Sequence, residues 1–372
     1  MRIAVIGGGP AGMTAAYQVS KQMGKKVSVL DLYEKSDRVG GLSKSIDLWE
    51  QRVDLGPHRF FSHDREINEL WLEVVGQNYD IVNRQTRIYY QKRFFDYPIK
   101  AFNALSGLGI FEAARCLFSY VLERLSPTKD TSTFEGWVIS RFGKRLYTIF
   151  FKTYSEKLWG IPCTELDSDF AAQRIKKLSL FEAIKNALFT GKGNKHATLV
   201  DQFAYPTGGT GAVYESMQAQ LESRGGKVHV NTGVEKVITS GGKARSIQLE
   251  NGEIIEYDHI ISTMPISLLV ERLPEVPDAV LEQVKKLTFR NTILVYLKVD
   301  RTDLFSDQWL YVHEPSVEVG RVTNFRNWLP SIYGESDSSI LCLEYWCYFD
   351  DPLWKQDQEQ LVKTAMDEIV RT

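Results

Sequence analysis

The stretch MRIAVIGGGPAGMTAAYQVSKQMGKKVSVLDLYEKSDRVGG, residues 1–41, decides the fold of this chain. Its first residues, Met1–Ile6, form a short apolar run rich in β-branched side chains, which is typical of a buried strand. Residues 7–12 then match the pattern G-x-G-x-x-G and lead into a helical stretch at Met13–Met23. A second apolar run at Val27–Tyr33 predicts another strand. This order predicts a β-α-β unit with a glycine-rich first turn.

The glycine spacing favours a site for a dinucleotide. Gly7 allows the tight turn, Gly9 lets a pyrophosphate approach the backbone, and Gly12 lets helix and strand pack closely. The helix N-terminus presents unpaired N–H groups and a partial positive charge to the phosphates. Glu34 lies 22 residues after Gly12, where a carboxylate can accept hydrogen bonds from ribose hydroxyls. The alternative is a glycine-rich turn of an ordinary α/β protein, which the complete strand, helix and acid context disfavours.

The composition limits the classes of protein to which this chain can belong. A chain of 372 residues is long enough for two domains, and its net charge of −2 argues against general nucleic-acid binding. The four cysteines (Cys116, Cys163, Cys342, Cys347) form no C-x-x-C pair, and the six histidines lack the spacing of metal ligands. We therefore expect a cytoplasmic protein with reduced cysteines, no metal site, no signal peptide and no transmembrane span.

The segment Ala101–Leu125 is apolar and helix-prone, and it is interrupted by charged residues. It could form a helix on a membrane surface or a buried amphipathic helix of the second domain. Because its polar positions are not predominantly basic, the buried helix is the favoured prediction.

The pattern along the chain predicts a discontinuous first domain. After residue 60 the chain becomes helical and aromatic, with a hairpin at Thr86–Tyr97, and glycine-rich and strand patterns return near residue 200. We therefore predict a cofactor domain from residues 1–60 and 200–265, and a second domain from residues 61–199 and 266–372. The second domain should combine the helical insertion with a mixed sheet, whose predicted strands are Thr292–Val299, Trp309–Val312, Arg321–Asn324 and Ile340–Tyr348.

Several motifs carry a resemblance to known flavoproteins. Gly7–Gly12, Glu34, Arg38-Val-Gly-Gly41 and the Val234 strand resemble the FAD-binding fold of the amine oxidase and protoporphyrinogen oxidase group. The stretches Asp54–His58, Tyr97-Pro98, Tyr154–Trp159 and Tyr205–Gly211 are similar to those of UDP-galactopyranose mutases. The resemblance implies an α/β fold with a discontinuous Rossmann-like FAD-binding domain and an α+β substrate domain.

The resemblance also implies which residues bind FAD. The adenosine pyrophosphate would lie over the glycine turn, with Glu34 on the ribose and the Val234 backbone at the adenine. The residues implied in cofactor binding are Gly7, Gly9, Pro10, Ala11, Gly12, Glu34, Lys35, Arg38, Gly40, Gly41, Leu42 and Val234. In this fold a C-terminal segment returns to the flavin with another glycine-bearing turn. No such segment is recognisable here, so the sequence predicts a truncated C-terminus.

Three residues are candidates for catalysis. The resemblance implies that the loop carrying His58 passes the isoalloxazine and that His58 tunes flavin N5. The alternative is that His58 is an ordinary loop histidine with a satisfied backbone contact. Arg174 and Arg321 fall at the positions of the two arginines that grip the substrate diphosphate in mutases. Guanidinium groups bind phosphate oxygens bidentately, which fits that role, although most arginines form surface salt bridges.

The candidates for substrate binding are Tyr154, Lys157, Trp159 and Trp328. Tyr154 and Trp159 could stack on a uracil, with core packing as the alternative. Trp328 falls where mutases place a diphosphate-binding tyrosine, and its indole donates a hydrogen bond but cannot accept one. This difference weakens assignment to the known mutase substrate.

The resulting expectation is a FAD-dependent enzyme of the oxidoreductase superfamily. Its leading activity is mutase-like flavin N5 chemistry on a nucleotide sugar or related diphosphate, with NAD(P)H as reductant. The alternative is an oxidase or dehydrogenase that passes a hydride from an amine, porphyrinogen or polyene to FAD, because one fold hosts both activities. A non-catalytic flavin-binding protein is a third hypothesis, and the absence of a G-x-S-x-G motif argues against a hydrolase.

Overall fold

The computed structural model describes residues 1–99, 101–174 and 202–372. Its helices in chain order are α1 (Pro10–Ser20), α2 (Arg65–Val75), α3 (Ala101–Leu108), α4 (Ile110–Leu125), α5 (Phe134–Phe142), α6 (Lys144–Tyr147), α7 (Thr153–Trp159), α8 (Ser168–Arg174), α9 (Gly211–Ser223), α10 (Ile266–Glu271), α11 (Asp278–Val284), α12 (Pro330–Tyr333) and α13 (Gln358–Arg371). Its strands are β1 (Arg2–Ile6), β2 (Val29–Tyr33), β3 (Ser45–Leu48), β4 (Gln51–Asp54), β5 (Tyr79–Asn83), β6 (Thr86–Tyr90), β7 (Arg93–Asp96), β8 (Gln202–Pro206), β9 (Lys227–His229), β10 (Val234–Ser240), β11 (Lys243–Leu249), β12 (Ile254–Glu256), β13 (His259–Ser262), β14 (Asn291–Val299), β15 (Trp309–Val312), β16 (Arg321–Asn324) and β17 (Ser339–Cys347).

The chain divides into two compact units, each built from separated segments. The first unit comprises Met1–Val82, Phe203–Thr288 and Leu329–Ser336, and the second comprises Asn83–Gln202, Phe289–Trp328 and Asp337–Thr372. The first unit therefore extends past residue 60, because α2 buries Trp71, Val74 and Val75 in the same apolar cluster as α1. It likewise extends past residue 265, since side chains of and after α10 pack on the cluster around β10 and β11.

A four-stranded parallel sheet in the order β13-β1-β2-β9 forms the centre of the first unit. Leu30 and Leu32 of β2 point to the side of α1 and α9, where they pack with Met13 and Met217. The alternate residue Tyr33 points to the other side, which is covered by the three-stranded sheet β10-β11-β12. Apolar side chains on both faces are typical of parallel strands. The predicted Rossmann-like α/β fold is confirmed.

The first unit has two local features that the sequence pattern does not show. Residues 227–238 alternate as a single strand would, but β9 joins the parallel sheet and β10 begins the antiparallel one. The break includes Asn231, whose φ of 51° takes the chain out of the extended conformation. The hairpin of β3 and β4 was not predicted, since its turn uses Trp49 and Glu50 at φ values of 48° and 65°. Neither residue type is a usual signal for such a turn.

The second unit is organised by a mixed sheet in the order β14-β17-β16-β15-β6-β7. All neighbouring pairs are antiparallel except β15 and β6, which are parallel. One face carries apolar side chains such as Val295, Val322 and Leu343, which pack with Leu361 and Ala365 of α13. The four predicted strands of this sheet agree with β14, β15, β16 and β17 to within one residue at each end.

Helices α3 to α8 belong to the second unit, and α4 departs from its prediction. Cys116 is the one residue of α4 that is fully buried, whereas the apolar Phe111 and Phe118 are 85% and 66% exposed. The prediction of a buried amphipathic helix is therefore wrong for α4, whereas Ala104 of α3 is buried in the helical core. The sequence pattern does not show which face of α4 turns inward. None of the helices in the described ranges is long and apolar enough to cross a membrane.

Substitution of Leu343 tests the sheet of the second unit. Leu343→Ala should lower the free energy of unfolding by about 2–5 kcal/mol, because the side chain is fully buried and its removal leaves a cavity. Val370→Ala is the control, and because Val370 is 86% exposed the change should stay within about 0.5 kcal/mol. Chemical denaturation of both variants measures the difference. Equal stabilities would contradict this packing.

Candidate functional site

The glycine turn after β1 has no room for a side chain at Gly7 or at Gly12. A Cβ atom on Gly12 would lie 1.8 Å from the Gly7 carbonyl oxygen, so helix α1 can approach β1 this closely only with glycine there. Gly7 has a φ of 100°, which favours glycine. A Cβ on Gly41 would lie 2.9 Å from the Gly9 Cα, so the two glycine clusters of the sequence are direct neighbours. The turn therefore exposes backbone where a ligand can approach.

Glu34 is held in place at the end of β2. Its Oε2 accepts a hydrogen bond from the Gly8 N–H at 2.6 Å, and its Oε1 accepts one from the Ser36 N–H at 2.8 Å. A carboxylate oxygen has two lone pairs, so each oxygen keeps one for a ligand hydroxyl. The geometry suits a ribose beside the glycine turn.

The N-terminus of α1 completes this part of the site. Gly9 is the N-cap residue without a side-chain hydrogen bond, and Pro10 occupies the first turn. The N–H groups of Ala11 and Gly12 have no partners within the helix, so they are suited to bind phosphate oxygens. The residues present therefore fit the pyrophosphate and ribose of a dinucleotide cofactor.

The other predicted cofactor residues lie around this turn. Lys35 is exposed and forms a salt bridge with Glu250 at 2.8 Å. The Arg38 guanidinium donates to the Ser45 carbonyl at 3.1 Å and lies 3.4 Å from Asp37. Arg38 therefore connects the second glycine cluster to β3.

The remaining positions in this group differ in exposure. Gly40 and Gly41 adopt φ values of 105° and 54°, which favour glycine. Leu42 projects outward and is 80% exposed, while Val234 at the start of β10 is buried. Their predicted contacts with a flavin and an adenine stay predictions.

A buried carboxylate that was given no role from the sequence organises the loops of the first unit. Asp54 accepts hydrogen bonds from the hydroxyls of Ser45 at 2.5 Å, Tyr205 at 2.8 Å and Thr210 at 2.7 Å. The Thr210 N–H also donates to it at 3.0 Å. Burial raises the pKa of Asp54, and these hydrogen bonds act in the opposite direction. Asp54 and Tyr205 both lie in stretches that resemble mutase motifs. They are more than 150 residues apart in the sequence, so local patterns could not predict that they are in contact.

His58 lies beside this network. Its backbone carbonyl lies 3.1 Å from the Thr210 hydroxyl and shares the single proton of that hydroxyl with Asp54. Its imidazole Nδ1 is buried and has no hydrogen-bond partner among the described residues. A buried ring nitrogen without a hydrogen bond lowers the stability of the fold unless another group pairs with it. His58 Nδ1 is therefore a candidate to contact a bound ligand.

The second unit carries an ion pair on the sheet face opposite α13. Tyr311, Arg321 and Glu344 lie side by side in register on β15, β16 and β17. Arg321 donates from Nε to Glu344 Oε1 and from Nη2 to Oε2, both at 2.5 Å. None of the described residues accepts a hydrogen bond from Arg321 Nη1. We call this surface the aromatic face; it consists of Arg321, Glu344 and the rings of Tyr154, Tyr311, His313 and Trp346.

Helix α7 places Tyr154 on the aromatic face. The Tyr154 ring stacks on His313 at a centroid distance of 4.7 Å. It meets the rings of Tyr311 and Trp346 edge-on, at 5.5 Å and 5.7 Å. Tyr311 and Trp346 lie next to Arg321 and Glu344 on the same sheet face, and Tyr154 packs on both rings, so aromatic surface adjoins the ion pair.

Burial controls the protonation of the aromatic face. It raises the pKa of Tyr154 well above its ordinary value, so the phenol stays a hydrogen-bond donor at neutral pH. Burial also lowers the pKa of His313 to about 3, helped by the positive charge of Lys157, so the imidazole stays neutral. For Arg321, burial acts to lower the pKa but the Glu344 carboxylate outweighs it and raises the value.

Lys157 of α7 is a predicted substrate residue, but its ammonium is enclosed by the loop between β15 and β16. Its ammonium donates to the backbone carbonyl of Val312, the last residue of β15, at 3.5 Å. It also donates to carbonyls of the segment that follows, those of Glu314 at 3.1 Å, Val317 at 2.7 Å and Val319 at 3.0 Å. An ammonium has three protons, so these acceptors use all of its donors. Burial lowers the pKa of Lys157 to about 8, which keeps it mostly charged at neutral pH. Lys157 therefore fixes the loop that carries His313.

The other predicted substrate residues lie in packed surroundings. The Trp159 ring meets Phe170 edge-on at 4.8 Å within the helical cluster. Trp328 is buried and packs against Trp309 at 5.8 Å. Arg174 ends α8, and its side chain lies outside what the structure describes. Of the predicted substrate and catalytic residues in this unit, the structure brings together Tyr154 and Arg321.

Substitution of His313 tests the burial of the aromatic face. A neutral buried histidine has a native pKa below its unfolded value of about 6.5, so it stabilises the protein at higher pH and loses this effect as the pH falls toward 3. In His313→Phe the fall in the free energy of unfolding from pH 6.5 to 4.5 should be shallower by about 1.4 kcal/mol per pH unit. Urea unfolding at several pH values measures it.

The exposed His63 provides the control, and His63→Phe should keep the slope of the parent protein. If His313→Phe also keeps that slope, the imidazole is not buried as described.

Comparison with known proteins finds relatives of two kinds. The chain is 26% identical over 299 residues to coproporphyrinogen III oxidase of Bacillus subtilis, which covers 74% of this chain and 62% of that protein. It is 29% identical over 174 residues to a probable UDP-galactopyranose mutase of Klebsiella pneumoniae, covering 44% of this chain and 42% of that protein. These matches span less than two thirds of either relative.

Solved structures agree on the fold. A crystal structure of reduced UDP-galactopyranose mutase superposes with a TM-score of 0.81 and 24% identity, over 97% of this chain and 77% of that one. The family profile of flavin-containing amine oxidoreductases matches residues 10–371. The prediction of FAD as cofactor is thereby confirmed, and the chain belongs to the flavin-containing amine oxidoreductase family.

Proposed function

We propose that this protein acts on a nucleotide sugar or a related diphosphate without net oxidation, as a mutase does. The observation that carries the proposal is Arg321, a guanidinium set among aromatic rings with one edge fixed by Glu344 and its Nη1 unused by the described residues. A fixed guanidinium suits a phosphate oxygen, and the neighbouring rings suit a flat base.

The side chains of the aromatic face have distinct tasks in this proposal. Tyr154 donates a hydrogen bond from its protonated phenol, and Arg321 neutralises one phosphate. Lys157 binds no substrate but keeps His313 beneath the Tyr154 ring through its carbonyl contacts. When bound, FAD would supply an electron-rich N5 after reduction by NAD(P)H.

A second candidate is hydride transfer from an uncharged substrate to FAD. The same ion pair favours it, because Glu344 already neutralises the charge of Arg321. A face of aromatic rings around a neutral pair would accept a planar or extended apolar molecule as well. The fold hosts both reaction types and cannot decide between them.

The substitution Glu344→Gln separates the two candidates. Removal of the carboxylate leaves Arg321 with its full charge, so UDP should bind the reduced holoenzyme about tenfold or more tightly if a diphosphate is the ligand. Anaerobic titration of the reduced protein with UDP, followed through the flavin spectrum, measures the affinity. Asp303→Asn, which breaks an exposed pair with Arg301, is the matched control and should leave UDP binding unchanged.

Because Glu344 is buried, the melting temperature of the variant is measured first, and titrations are done below it. Failure of the parent protein and of Glu344→Gln to bind UDP would contradict the diphosphate proposal. Bleaching of the oxidised flavin by an amine, porphyrinogen or polyene would then support hydride transfer.

A further inference from the structure

Helix α4 presents an apolar face outward. Its inward residues include Glu112, Cys116 and Ser119, while the outward ones are large and apolar. The exposed large apolar side chains of α4 are those of Ile110, Phe111, Leu117, Phe118, Val121, Leu122 and Leu125. Their exposed fractions run from 40% for Leu117 to 85% for Phe111, which is the reverse of an ordinary surface helix.

The exposed side chains form one continuous surface. With 3.6 residues per turn, they and Ala114 occupy an uninterrupted arc of about 140° around the helix. Arg115 and Arg124 fall at the two edges of this arc. We call this surface the α4 apolar face. Sixteen residues make it roughly 24 Å long.

Specific polar contacts fix the orientation of α4. The Glu112 carboxylate forms an ion pair with Arg145. The Ser119 hydroxyl accepts a hydrogen bond from the Arg145 N–H at 3.0 Å. A rotation that buried the apolar side chains would break both contacts and expose the buried Cys116. The contacts of Glu112 and Ser119 with Arg145 therefore determine that the apolar face of α4 points outward.

Basic side chains border the apolar face, whereas Glu112 and Glu123 of α4 lie on the inward side. Arg115 is 71% exposed at one edge, where it also pairs with Glu112 at 3.4 Å, and Arg124 lies over the Tyr120 ring at the other edge. Helices α5 and α6 pack beside α4 and expose Arg141 and Lys144. A long apolar face with arginines at its borders suits a lipid surface, where the alkyl stems cover hydrocarbon and the charged ends reach phosphate headgroups.

We propose that the α4 apolar face binds the surface of an anionic lipid bilayer, with the helix lying in the plane of the interface. A second copy of this chain fits less well, because pairing two such faces would bring the bordering arginines of one copy against those of the other. The arc is also wider than the narrow seam of a helix pair. The helix is too short to span a bilayer, so the attachment is peripheral.

Vesicle binding by the full-length holoprotein tests this proposal. The protein should co-sediment with vesicles of phosphatidylcholine and phosphatidylglycerol in a 3:1 ratio, and less with phosphatidylcholine alone. The double variant Phe111→Ser/Phe118→Ser should lower the partition coefficient more than about tenfold, since both rings would insert. Ile254→Ser and Val370→Ser are matched controls, because both residues are exposed and lie outside α4. Arg115→Gln/Arg124→Gln should remove the preference for the anionic vesicles.

A second measurement does not depend on how the serine variant folds. The four native cysteines are buried, so a thiol-reactive environment-sensitive dye can be attached selectively to Phe118→Cys. Its emission should shift to the blue when anionic vesicles are added, and a dye at Val370→Cys should not respond. The shift should weaken as salt is raised.

Absence of vesicle binding and of a blue shift would overturn the proposal. Equal binding by Phe111→Ser/Phe118→Ser and the parent protein would overturn it as well. A concentration-dependent dimer that the same double variant dissociates, together with a dye shift that occurs without lipid, would assign the face to a second copy instead.

Discussion

The contact between helix α1 and strand β1 at Gly12 is the constraint on which the nucleotide-binding end of the first unit depends. No side chain fits between Gly12 and the Gly7 carbonyl, so a helix begins within van der Waals contact of the strand that precedes it. This close approach directs the free N–H groups of α1 to one point beside Glu34. The second glycine cluster meets the first through Gly9 and Gly41. Arg38 and Asp54 then tie these turns to β3 and to the 205–211 loop.

In the second unit, the ion pair of Arg321 and Glu344 plays a comparable organising role. The Glu344 carboxylate is buried and the Arg321 side chain is 25% exposed, so the carboxylate depends on this guanidinium to compensate its charge and holds one edge of it in place. Tyr311 and Trp346 lie beside the pair on the sheet face, and the Tyr154 ring packs on both of them. Lys157 stabilises the same region by holding the loop that carries His313. The geometry of the aromatic face thus depends on Lys157 as well as on the residues that form the face.

Local sequence patterns were sufficient for the first β-α-β unit of the parallel sheet and for strands β14 to β17. Glycine spacing and runs of β-branched residues act over a few residues, so β1, α1 and β2 could be predicted together. Roles that depend on distant contacts could not. The carbonyl partners of Lys157 lie more than 150 residues away, and Asp54 meets Tyr205 at a similar separation. Glu344 lies inside an otherwise apolar strand, where a charged residue needs a buried partner. Its sequence position could therefore have indicated an ion pair, although no role was predicted for it. For α4 the apolar period was recognised, but the inward or outward direction of its face depends on Arg145.

The most direct test of the central claim is the FAD content of purified protein, read from the visible spectrum and quantified after release of the flavin. The account predicts about one FAD per chain for the parent protein and little for Gly12→Ala, because the added methyl group forces α1 away from β1. Gly24→Asn is the control, since its φ of 72° suits asparagine and nothing lies within 4 Å of a Cβ there. A folded Gly12→Ala variant that retains full FAD content would contradict the account.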